Sequence, residues 1–106
     1  MSWKHALPVL FLAPAMAFGQ ANGPSDPQIA GIVVTANQVD IDAGKLAKSH
    51  SKTKEVQDFA QRMITDHTAV NKQAAALAKK LGVKPEDSDT AKSLKQAAAE
   101  TRSTRC

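Results

Sequence analysis

The sequence predicts an all-α protein, an antiparallel helical hairpin followed by a short third helix. Three observations predict it. From Val56 to Leu81 the apolar residues Val56, Phe59, Ala60, Met63, Ile64, Val70, Ala74, Leu77, Ala78 and Leu81 recur in steps of three and four, the spacing of one helix face. An earlier row, Ile29, Val33, Ala36, Asp40, Ala43 and Ala47, keeps nearly the same heptad-like period. Only Ser49 to Thr53 (SHSKT) separates the two, and so short a connection makes the helices antiparallel neighbours.

The chain opens on MSWKHALPVLFLAPAMAFGQA, which has the three parts of a secretory signal. Lys4 supplies the positive region and Ala6 to Ala17 the apolar run. Ala17-Phe18-Gly19 or Gly19-Gln20-Ala21 places small residues at the cleavage positions. The run falls short of the roughly 20 residues a membrane-crossing helix needs. No cysteine follows it that could carry a lipid anchor. The expectation is a signal peptide over residues 1–21, an exported protein (periplasmic in a Gram-negative source), and no stable membrane span after cleavage.

Residues 20–25 (QANGPS) carry turn formers and no period. Asp26-Pro27 then reads as a helix start, with Asp26 accepting from first-turn amides and proline tolerated where its missing donor costs nothing. The β-branched Ile32-Val33-Val34-Thr35 would suit a strand, but the helical period continues on both sides of it. If the turn is centred near Ser51, Ala43 lies level with Ala60, Asp40 with Met63 and Ala36 with His67. Asp40 and His67 are then about one turn apart. Ser51 or Thr53 is the expected cap of the second helix. Gly82 ends that helix as a left-handed cap and Pro85 prevents its continuation. Ser88 or Asp89 can cap a third helix from Thr90 to about Arg102, with Ala91, Leu94, Ala97 and Ala98 as a thin apolar face.

A chain of 106 residues allows one small domain. It carries 14 Lys and Arg against 10 Asp and Glu, a net charge of +4, but the charges are interspersed in the manner of solvated helix surfaces. Of its four aromatic residues, Trp3, Phe11 and Phe18 lie in the leader and only Phe59 beyond it. A stacking platform for nucleic acid is not expected. Cys106 is the single cysteine, so no internal disulfide can form. Stability must come from helix packing, a metal or association.

The run Val39 to Ala47 (VDIDAGKLA), then Val56 to His67 (VQDFAQRMITDH) and Leu77 to Val83 (LAKKLGV), resembles the bacterial domain of unknown function 4142 family. The matching pattern is an acidic pair before Gly-Lys-Leu-Ala, a Phe-x-x-Arg-Met, an Asp-His pair and a Gly-terminated second helix. The resemblance covers residues 27–102. It implies export and a ferritin-like four-helix fold, of which residues 22–106 would supply the first half. Two further long helices would be missing, and the ending TRSTRC reads as a truncation.

His67 is the one polar side chain inside the second helix's apolar row, and imidazole there wants a carboxylate, a carbonyl or a metal. Asp40 is the inward carboxylate, whereas Asp66 points about 100° round the helix. Asp40 and His67 are the candidate metal ligands, two where a closed transition-metal site needs more, so a partner chain would have to complete it. The plainer reading is a structural His–Asp hydrogen bond. Ile64 stands where a ferritin-like Glu-x-x-His would carry its glutamate. Met63, Arg62 and Asp66 belong to the family pattern, Met63 as a core filler and Arg62 as a surface charge. There is no nucleophile elbow, phosphate loop or paired carboxylate, so no catalytic residue or cofactor is assigned. The expected role is structural or binding, with self-association through the apolar helix faces; the alternative is a metal-binding or redox protein.

Overall fold

The computed structural model describes residues 23–105, which form three helices: α1 (Asp26–His50), α2 (Lys54–Lys80) and α3 (Asp89–Arg105). The expected signal peptide and Cys106 lie outside the described residues. Ser25, not Asp26, caps α1. Its Oγ accepts from the Gln28 amide at 3.3 Å, and Gln28 Oε1 accepts from the Ser25 amide at 2.9 Å. This is a capping box, and it leaves Asp26 in the first turn, where its charge faces the positive end of the helix dipole.

α1 runs through Ser49 and His50, so the connection is only Ser51, Lys52 and Thr53. Thr53 occupies the cap position of α2 without a side-chain bond. Ser51 holds the turn instead: its Oγ accepts from the Thr53 amide at 3.1 Å and its carbonyl from Gln57 Nε2 at 2.7 Å. At the far end of α2, Gly82 has φ +70°. The Val83 amide donates to Ala78 O at 2.8 Å and the Gly82 amide to Lys79 O at 3.1 Å, the paired bonds of a Schellman cap.

The two long helices are antiparallel, and their residues meet between one residue and one turn away from the expected register. Gly44, not Ala43, lies against Ala60 and Met63, and Asp40 meets His67. The reason is side-chain direction. Every Cα–Cβ bond tilts toward its own helix N-terminus, so α1 side chains lean away from the turn and α2 side chains toward it. Side chains that meet therefore belong to backbone positions that are not level.

After Gly82 the chain crosses α1 over Gly31. The Glu86 amide donates to Pro27 O at 2.8 Å, and a Cβ on Gly31 would stand 1.9 Å from Glu86 O. Only glycine lets the two backbones come this close. Ser88 then caps α3, its Oγ accepting from the Ala91 amide at 3.1 Å. α3 runs alongside α1 in the same direction, bringing Ala98, Thr101 and Arg102 to one groove with Leu46, Ala47 and His50. α1 is the middle helix, and among the described residues α2 and α3 do not touch each other.

The interior of this layer is thin. Its buried apolar residues are Ile41, Ala60, Ala78 and Ala91, with Gly31 and Gly44 buried beside them. Ile41 alone is larger than alanine.

Candidate functional site

Seven large apolar side chains stay well exposed: Ile29, Val33, Val56, Phe59, Val70, Leu77 and Leu81, between 39% and 65%. They are not scattered. At 100° per residue, Val56, Phe59, Met63, Val70, Ala74, Leu77 and Leu81 fall within roughly 60° of one another on α2. Ile29 and Val33 fall within roughly 40° on α1. Ile29, Val33, Ala74, Leu77 and Leu81 line one open groove, so the two rows share a side of the layer. The other side of the α1–α2 pair is polar. There Lys48 Nζ donates to Gln61 Oε1, and Asn71 Nδ2 reaches Val34 O at 3.3 Å. A helix pair that is apolar on one side and polar on the other leaves its apolar side unpartnered among the described residues.

Asp40 and His67 sit in the middle of the apolar side. His67 Nε2 lies 3.2 Å from Asp40 Oδ2, and Nδ1 donates to Met63 O at 2.9 Å. Both ring nitrogens thus face acceptors. A carbonyl can only accept, so the Nδ1 that meets Met63 O is a donor, and Nε2 is left facing the Asp40 carboxyl group. The pair is partly exposed, with side chains at 27% for His67 and 46% for Asp40. The helix register brings together the two residues expected to share a site, one turn closer than their Cα levels suggest.

The other motif residues do not join them. Arg62 and Asp66 are exposed on α2 and pair with no described residue, and Met63 lends its carbonyl rather than its sulfur. Among the described residues, no group of three or more His, Cys, Asp or Glu is arranged to hold a metal ion. No helix among them is long and apolar enough to cross a membrane.

Two residues of structural weight were not singled out from the sequence, Gly31 and Gly44. Glycine inside a helix costs about 1 kcal/mol against alanine, and such an unforced cost signals close packing. Gly44, the glycine of the Gly-Lys-Leu-Ala segment, packs closely on α2: a Cβ there would lie 3.0 Å from Ile64 Cγ1 and 3.1 Å from Ala60 O.

A family model described as a domain of unknown function (DUF4142) matches residues 12–104. No curated protein and no solved structure matches the chain.

Proposed function

Because the chain belongs to the DUF4142 family, a membership that carries no activity with it, we propose that its role is structural or binding, in the bacterial cell envelope, through the apolar side of the α1–α2 layer. The observation behind this reading is the one-sided layer itself. Seven large apolar residues share one face, and exposed apolar surface on this scale marks an interaction site. The signal-like leader supports export. The face acts by self-association.

Two measurements test the reading. Fractionation of an expressing Gram-negative host should find the chain in the periplasm with its N-terminus at Gln20 or Asn22; an intact chain in the cytoplasm contradicts export. In sedimentation velocity at micromolar concentration, the chain should run larger than a monomer and Leu77→Glu as a folded monomer. A monomeric parent chain contradicts the association.

A metal-binding or redox role for Asp40 and His67 has one observation in its favour. Two ligand atoms about 2.1 Å from one metal ion lie about 3.0–3.4 Å apart, which spans the 3.2 Å seen here. A partner chain would have to supply the remaining ligands. Titration with zinc or copper that leaves the His67 ring resonances unmoved would remove this reading.

A further inference from the structure

We infer that the occupant of the apolar face is a second copy of this chain, stacked so that α2 runs antiparallel to the partner's α2 and α1 antiparallel to the partner's α1. This rests on the self-association proposed above and fixes its geometry.

The first argument is the palindromic order of the two rows. On α1, a two-fold axis at Gln38 would bring Ile29 over the partner's Ala47, Val33 over the partner's Ala43 and Ala36 over the partner's Asp40. Large side chains then meet small ones, as close packing requires. On α2, an axis between Thr68 and Ala69 would set Met63 over the partner's Ala74, Phe59 near the partner's Leu77 and Val56 over the partner's Leu81. One rotation must serve both helices, so the two centres must lie at one level where their side chains meet. They are: Asp40 meets His67, and Val34 O meets Asn71, on either side of that level.

Charge gives the direction. Along the outer edge of α2 the exposed residues include Glu55 near one end and Lys80 at the other. The acidic residues of α2 are Glu55, Asp58 and Asp66, and none occurs between His67 and Lys84. Antiparallel stacking places Glu55 beside the partner's Lys80 twice over. Parallel stacking would place Glu55 beside the partner's Glu55, which repels.

The area is sufficient. Scaling the full areas of the seven apolar residues by their exposures gives roughly 700 Å² per chain, close to the ~800 Å² that each partner contributes to a standard specific interface. Stacking two such layers makes a four-helix arrangement at the centre, with Asp40 and His67 of both copies flanking the axis.

Cross-linking of the full chain tests the geometry, in a Cys106→Ser background. Glu55→Cys mixed with Lys80→Cys should form a disulfide-linked dimer on oxidation, and neither variant should do so alone. The charge exchange gives a second readout. Glu55→Lys should raise the dimer dissociation constant roughly threefold to tenfold, and adding Lys80→Glu should restore it. Cross-linking of Glu55→Cys alone would overturn the antiparallel arrangement. Dimers with no cross-link in the mixture would overturn the arrangement while leaving self-association standing, and a monomer at all concentrations would overturn both.

Discussion

Asp40 and His67 join the two long helices at mid-length, His67 Nε2 standing 3.2 Å from Asp40 Oδ2 in the centre of an otherwise apolar face. Once a second copy covers the face, a polar pair at this position selects register, because a slip of either helix leaves Asp40 facing hydrocarbon.

The first prediction concerns the worth of that pair. Both side chains are partly exposed, so a double-mutant cycle with Asp40→Asn and His67→Gln in dilute protein should give a coupling of about 0.2–1 kcal/mol. At high protein concentration, where the face is covered, the coupling should rise, because the pair then loses its water. Urea unfolding at two protein concentrations measures both. A coupling that does not change with concentration would place the pair outside the interface.

Gly31→Ala should destabilise the chain by about 1–3 kcal/mol although alanine is the better helix former, because the added methyl meets the Glu86 carbonyl. The loss should be local. The Glu86–Pro27 bond breaks first, so amide exchange should quicken at Glu86 and along α3, with α2 unaffected. Uniform quickening across all three helices would contradict the crossing's role.

Gly82→Ala has open space around the new methyl but must hold φ +70°. The expected cost is about 1–2 kcal/mol, from backbone strain alone. Gly82→Asn should cost less, since asparagine tolerates this conformation better. Thermal melts of the two variants give the comparison, and equal melting temperatures for parent and Gly82→Ala would contradict the assigned cap.

Much of this architecture was legible in the residues. The three-four spacing of Val56 to Leu81 gave α2, and Gly82 with Pro85 gave its end. Helix type follows from period, and period survives in sequence. Register did not. Levelling the helices by backbone position put Asp40 a turn away from His67, since residue counting ignores the tilt of Cβ toward each N-terminus. The cap of α1 was equally readable in Ser25-x-x-Gln28, but Asp26-Pro27 offers a competing start one residue later, and two good caps in a row cannot be separated without the backbone. Gly31 was hidden for a different reason: its neighbour is the Glu86 backbone, 55 residues on, and no local pattern reports a crossing chain.

The most direct test of the account is thermal melting of the chain by circular dichroism over a hundredfold range of protein concentration. If a second copy completes the layer, the melting temperature should rise by about 8 °C across that range, from ~2.7 kcal/mol of mass action spread over the unfolding entropy of two chains. A cooperative melt at one temperature, independent of concentration, would contradict the claim that the apolar face of α1 and α2 is covered by a partner copy.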